Sequence, residues 1–229
     1  MSNFNLLTIL SSHGSVPLKC MKVVDFLLGS FLAFFLPAKP HADYCNKDIK
    51  QILVIRPGGI GDAVFLLPIL RVLESKNYAV SIVCEARNAE VFVSQGYKVF
   101  FYNRLADLKY ILSHKYDVIV DTEQWHYGSA ILSAFMKGDF KIGFATRLLR
   151  TKLFDKKVSY EMNTYELVNF LKLFSCYLQP EEIPWGIQNS FRVPKLQEHW
   201  ATAQMPANGV VVSLAGSIAL RRFSENQLR

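Results

Sequence analysis

The chain has 229 residues, 51% hydrophobic and 20% charged, a composition that excludes a disordered or fibrous protein. The length suits one large domain, or one domain and part of a second. Lys and Arg number 26 against 19 Asp and Glu, for a formal net charge of +7. That excess suits an anionic partner (a nucleic acid, an acidic lipid surface or an acidic substrate) without choosing among them. The four cysteines, Cys20, Cys45, Cys84 and Cys176, are scattered without a C-x-x-C pair. The spacing predicts neither a disulfide framework nor a cysteine-based zinc site, and favours a reducing compartment. The five histidines form no H-x-x-x-H or H-E-x-x-H pattern, so no metal is expected. No helix-turn-helix, zinc-finger or RNP pattern is present, and nucleic acid is not an expected partner.

In chain order, residues 1–20 read as a leader, disordered or translated from an upstream mis-start, with Met21-Lys22 a natural beginning. Residues 21–50 form a hydrophobic membrane-associating segment and linker. Its apolar run FLLGSFLAFFL, residues 26–36, is preceded by Lys19, Lys22 and Asp25 and stopped by Pro37. At about 1.5 Å per residue it falls well short of the ~30 Å hydrocarbon core. Three readings stay open: an in-plane or re-entrant anchor, a buried core helix, or an uncleaved signal sequence.

From residue 51 short apolar runs alternate with helical spacing. Strands are predicted at 52–55, 79–84, 98–102, 117–121 and 141–144. Helices are predicted at 62–76, 88–94, 105–112, 127–136 and 161–177. Continuous apolar strands between helices indicate a parallel sheet covered on both faces. Residues 51–178 are therefore expected to form a doubly wound α/β domain, with its functional edge at the carboxyl ends of the strands. Residues 179–208 hold Pro180, Pro184, Pro194 and Pro206 and read as a linker. A new apolar strand is predicted in 209–216 and a capping box at Ser224, as in the first β-α unit of a second domain. One such unit cannot bury a core, so residues 209–229 are expected to be the truncated start of that domain.

The most informative stretch is ILVIRPGGIGDAVFLLPIL, residues 52–70. Gly58, Gly59 and Gly61 offer a turn with free backbone N–H groups before a helix, a setting that favours anions. Asp62 can be read as an N-cap of that helix. It can also be read within a dinucleotide fingerprint, with Gly59-x-Gly61 and Glu85 at a distance suited to a ribose hydroxyl. Against the fingerprint, Val64 stands at the third glycine position, and Asp62 puts a carboxylate where pyrophosphate would sit. No Gly-Lys-Ser/Thr follows, which excludes a P-loop.

The same stretch resembles the amino-terminal motif of glycosyltransferase family 9, which includes the ADP-heptose:lipopolysaccharide heptosyltransferases: a strand, a small-residue loop, Gly61-Asp62, then an apolar helix with Leu67-Pro68. Three further stretches match in order. They are YDVIVDTEQWHYGSAILSAF followed by KIGF (116–144), the helix TYELVNFLKLF (164–174), and VVVSLAGS…RRFS beginning at residue 210. The segment 21–36 looks like the hydrophobic extension of some members, so the resemblance covers residues 21–229.

The resemblance implies a GT-B architecture: a Rossmann-like amino-terminal domain holding the acceptor, and a second holding a nucleotide-sugar donor. It implies inverting transfer of a heptose-like sugar from a nucleotide-diphosphate sugar to an anionic lipid-linked saccharide, such as a lipopolysaccharide core. No metal or cofactor is expected, and the enzyme would lie on the cytoplasmic side, peripheral or monotopic at the inner membrane. By the match, Asp62 is the candidate general base, and Ser217 and Arg221 are candidate contacts to the donor diphosphate. Gly59, Gly61, Glu123, Gln124, Arg147 and Arg150 are candidate acceptor-binding residues. Asp121 ends a strand at the same edge, as cleft lining or helix cap. The family often has a His where Asn163-Thr164 stands here. Two other readings are kept: an NAD(P)-binding Rossmann oxidoreductase using Gly59, Gly61 and Glu85, and an inactive membrane-associated remnant. By the length argument, the chain alone is expected to have little or no activity.

Overall fold

The structure, a computed structural model, describes residues 16–42 and 48–183, with side chains from residue 20. By internal contacts the chain divides into two units, Met1–Val24 with Val193–Arg229, and Asp25–Arg192. Of the first unit only 16–24 are described, the beginning of helix α1 (Val16–Phe35).

The second unit is built on six parallel strands: β1 (Gln51–Arg56), β2 (Ala79–Cys84), β3 (Lys98–Phe101), β4 (Lys115–Asp121), β5 (Lys137–Phe144) and β6 (Lys156–Val158). Between them lie α2 (Ile60–Ser75), α3 (Ala86–Val93), α4 (Leu105–Ser113), α5 (Tyr127–Phe135) and α6 (Leu148–Thr151). After β6 come α7 (Glu166–Phe174) and a 3₁₀ turn, Pro180–Glu182. The strand order is β3-β2-β1-β4-β5-β6. The chain reverses its winding between β1 and β4, and ligands of open parallel sheets bind beside such a reversal.

Successive strand side chains point to opposite faces, and both faces are buried. Ile52, Val54, Ile82, Val118 and Val120 join one cluster, with Leu66, Leu70, Phe92, Phe170 and Phe174 from the helices. Leu53, Ile55, Val83 and Ile119 join another with Ile111 and Met136. This two-sided burial is why the strands read as unbroken apolar runs rather than alternating ones.

The doubly wound α/β domain is as the sequence predicts, with three local departures. β5 begins at Lys137, where 137–140 alternates in exposure rather than forming an apolar run. β6 and α6 are additions; each is short, and Lys156 and Lys157 hide the strand signal of β6. Cys176 is disulfide-bonded, where the cysteine spacing predicts no bridge. Disulfide geometry depends on approach in space, which separation in sequence does not report. The strand and cap predicted in 209–229, and the linker from residue 184, lie outside the described residues.

Helix α1 is neither a core helix nor a free segment. Ala33 is buried against Tyr127, Ala130, Leu153 and Phe154, while Leu27, Leu28, Phe31, Leu32, Phe34 and Phe35 are each more than half exposed. Among the described residues no helix is long and apolar enough to cross a membrane.

Candidate functional site

The carboxyl ends of β1 and β4 carry a cluster of charged groups. β1 ends in Arg56, whose side chain is 2% exposed. Its Nη2 donates to Asp62 Oδ2 at 2.9 Å, and its Nη1 to the Thr122 carbonyl at 2.9 Å. Glu123 Oε2 lies 3.9 Å from the same Nη2. The guanidinium also faces the Phe170 ring at 5.7 Å. Nε is buried without a hydrogen-bond partner. A buried guanidinium between two carboxylates keeps both in place while neutralising one of them.

Helix α2 begins at Ile60 with Gly59 as its N-cap, so Asp62 stands in the first turn instead of capping it. A carboxylate there is favoured by the helix dipole. Its side chain is 39% exposed, which leaves it open to a solute. Gly58 has φ +115°, and a Cβ there would lie 2.9 Å from Arg56 Nη2. A side chain at this position would be strained and would also push the guanidinium away. Gly61, in contrast, has open space around its Cβ position and no positive φ. The turn that the sequence ascribes to three glycines rests on Gly58.

From β4 the chain runs through Thr122, Glu123 and Gln124, all buried. Thr122 Oγ1 donates to the Ile55 carbonyl at 2.8 Å, which ties the loop to β1. Glu123 Oε1 accepts the backbone N–H groups of Gln124 and Trp125 at 3.1 Å each. Gln124 Nε2 donates to Glu166 Oε1, and Tyr160 OH donates to Glu166 Oε2 at 2.9 Å. Burial, and then the Glu166 carboxylate, hold the Tyr160 hydroxyl protonated well above the ordinary tyrosine range. Trp125 meets the Tyr160 ring edge-on at 5.8 Å. Asp62, Glu123 and Gln124 are thus gathered on one edge, with Arg56, Tyr160 and Glu166 joining them.

Arg150 differs from the expectation that it clasps an anionic acceptor. Arg150 has no exposed surface. It donates to Asp121 Oδ2 at 2.7 Å, to the Phe144 carbonyl at 2.8 Å, to the His126 carbonyl at 3.1 Å and to the Glu123 carbonyl. It pins the loop that carries Glu123 and presents nothing to solvent. Asp121 is equally buried and also accepts from Ser129 Oγ at 2.9 Å. Burial raises its carboxyl to about 6. It neither lines a cleft nor stands as an exposed cap. Arg147 is half-buried, 5.0 Å from the Phe26 ring centroid and 5.4 Å from that of Tyr127. Lys141 is buried and donates to the Ala134 carbonyl at 2.8 Å, so the basic run 141–157 is not one surface patch. Ser217 and Arg221 lie outside the described residues.

The Glu85 carboxylate, placed by the dinucleotide reading on a ribose, is engaged within the domain. Tyr102 OH donates to it at 2.8 Å and Arg87 Nε lies 2.6 Å away. Among the described residues no group of three or more His, Cys, Asp or Glu side chains could hold a metal ion. The sequence reading passed over Arg56, Tyr160 and Glu166. Only Arg56 left a trace, as a charge ending an otherwise apolar strand.

No protein-family model matches the chain. No curated protein matches it either. Solved structures do. The glycosyl transferase family 9 structure from Veillonella parvula DSM 2008 aligns with a TM-score of 0.61 at 10% identity, over 80% of this chain and 58% of that one. The structure of E. coli ADP-heptose lps heptosyltransferase II aligns with a TM-score of 0.52 at 14% identity, over 67% of this chain and 50% of that one. The chain therefore aligns with 58% of the length of the first and half the length of the second. At these identities the likeness is one of architecture: the described α/β domain has the fold found in these glycosyltransferase structures.

Proposed function

We propose that the chain is the acceptor-binding part of an inverting glycosyltransferase, with Asp62 as general base. The observation that carries the reading is the Asp62 carboxylate: open to solvent, at the carboxyl edge of the sheet beside the β1–β4 reversal, and held by the buried Arg56. In an inverting displacement the acceptor hydroxyl attacks the anomeric carbon as the bond to the nucleotide diphosphate breaks. The hydroxyl proton passes to Asp62, which must lie within about 3 Å of it. Arg56 is a positioning residue, since it fixes the carboxylate through an Nη2 N–H while an Nη1 N–H is held by the Thr122 carbonyl. Glu123, Gln124 and Arg147 are proposed to line the acceptor side.

The donor is proposed to be a nucleotide-diphosphate sugar, with Ser217 and Arg221 on its diphosphate. The acceptor is an anionic lipid-linked saccharide at a membrane surface. The E. coli protein of like fold is described as acting with ADP-heptose and lps, and a heptose-like sugar is proposed here on that analogy of fold. The reading calls for no metal. The dinucleotide alternative is weakened by Asp62 in the first turn of α2 and by the occupied Glu85.

Two measurements test the proposal. Calorimetric titration should show binding of an anionic core saccharide and none of nicotinamide dinucleotide; the reverse result would overturn the reading. Where sugar transfer is measured as nucleoside-diphosphate release, Asp62→Asn should abolish it and leave saccharide binding in place. Transfer at the unsubstituted rate would remove Asp62 as the base.

A further inference from the structure

We infer that helix α1 is an in-plane docking surface for anionic phospholipid, fixed to the domain so that lipid contact and the candidate site share one rigid frame. Between Asp25 and Phe35 the helix has two unlike faces. On one, Asp25 accepts from the backbone N–H groups of Tyr127 at 3.0 Å and Gly128 at 2.8 Å, with His126 Nδ1 at 3.3 Å. It thus caps the amino terminus of α5 from another helix. Gly29 lies against Tyr127 so closely that a Cβ would come within 2.3 Å of the Tyr127 Cβ, and Ala33 is wholly buried. The other face carries Leu28, Phe31 and Phe35, exposed to 59%, 61% and 69%. The aromatic rings on this side pack on one another, Phe31 with Phe35 at 5.1 Å and Phe34 with Phe35 at 5.3 Å. A contiguous exposed apolar face of this kind marks an interaction surface.

Charge selects lipid as the occupant. No acidic residue occurs from residue 26 to residue 42. Lys152 Nζ donates to the Phe34 carbonyl at 3.0 Å, and Lys157 Nζ to the Lys39 carbonyl at 3.0 Å. Ammonium groups thus sit beside the end of the apolar face and the segment after it. Asp25 and Asp155, near this face, are used internally: Asp25 by α5, and Asp155 by Lys39 Nζ at 2.7 Å and the Lys141 backbone N–H at 2.8 Å. Apolar side chains with ammonium groups at one end match the interface of an anionic bilayer. The capped end of α5 follows Glu123 and Gln124 after only Trp125 and His126, so the docked helix sets the height of the candidate site above the lipid.

The inference rests on the transferase reading only for the lipid-borne acceptor. Vesicle binding without binding of an anionic core saccharide would leave the surface standing while that reading failed. The test is co-sedimentation of the full chain with vesicles of phosphatidylglycerol and phosphatidylcholine, against phosphatidylcholine alone. Binding to the anionic vesicles, weakened by salt, is expected. Leu28→Glu and Phe31→Glu should each weaken it by more than about tenfold, and Lys152→Glu by at least about fivefold. Melting temperatures should stay near that of the unsubstituted chain, because these side chains are exposed. Three results would overturn the inference: no binding by the unsubstituted chain, undiminished binding by the folded glutamate variants, or a lipid-free dimer that Phe31→Glu dissociates. The last would assign the face to a second copy.

Discussion

Two arginine–aspartate pairs stand at the same sheet edge and do opposite things. Arg150 and Asp121, 2.7 Å apart, are both fully buried, and the guanidinium's remaining bonds go to backbone carbonyls. Arg56 and Asp62, 2.9 Å apart, are buried on the cation side only; the carboxylate is 39% exposed and one nitrogen of the guanidinium has no partner. An ion pair closed on all sides locks a loop. One left open on its anionic side holds a carboxylate ready for a solute. Ion pairing alone does not separate scaffold from chemistry; the exposure of the carboxylate does.

The largest effect is expected at the closed pair. Asp121→Asn or Arg150→Met leaves one buried charge without its partner and should cost about 3–5 kcal/mol in urea unfolding. A cost below ~1 kcal/mol would mean that the pair is not the lock described. Asp62→Asn should change unfolding by no more than about 1 kcal/mol, since an exposed partner contributes little. In a form of the protein that transfers sugar, nucleoside-diphosphate release should fall by about 10²-fold or more. Equal effects of Asp62→Asn and Asp121→Asn on stability would erase the distinction.

Titration sharpens the same contrast. Burial holds the Asp121 carboxyl at about 6 in the folded state, above its value in the unfolded chain. Between pH 4 and 6 the folded state therefore binds more protons at this site. The stability contributed by Asp121 is present below pH 4 and is lost as pH rises through 6. The stability gap between the unsubstituted chain and Asp121→Asn should accordingly narrow from pH 4 to pH 6.5 in urea midpoints; a gap that widens would contradict the raised carboxyl. The smallest effect is expected at Asp25→Ala, which removes the cap on α5 at a cost of about 1 kcal/mol. It should also raise hydrogen exchange at the Tyr127 and Gly128 amides. Unchanged exchange there would dissociate α1 from the site frame.

The legible parts of the site were those with a local signal. Gly61-Asp62 opening an apolar helix, and the polar run after β4, could be placed at one edge because strands and helices alternate there. Arg150 could not be read correctly. In sequence it belongs to a basic run, and its burial depends on the β4–α5 loop folding over it. Arg56 was invisible as a partner of Asp62, because an i, i+6 pair meets only when a turn such as that at Gly58 folds back. Glu85 sits at the distance a ribose contact requires, yet Arg87 two residues on and Tyr102 occupy it, the second brought there by the pairing of β2 with β3.

By itself the sequence determined that residues 51–178 form alternating strands and helices around a sheet buried on both faces, since unbroken apolar runs leave no other stable arrangement. It also determined that a carboxylate follows a glycine turn at the first strand's end. Only the tertiary structure decided the order β3-β2-β1-β4-β5-β6, which arginine meets which aspartate, and which face of α1 is left bare. Hydrophobic periodicity is written along the chain, whereas strand adjacency and the burial of a charge depend on contacts between residues far apart in it.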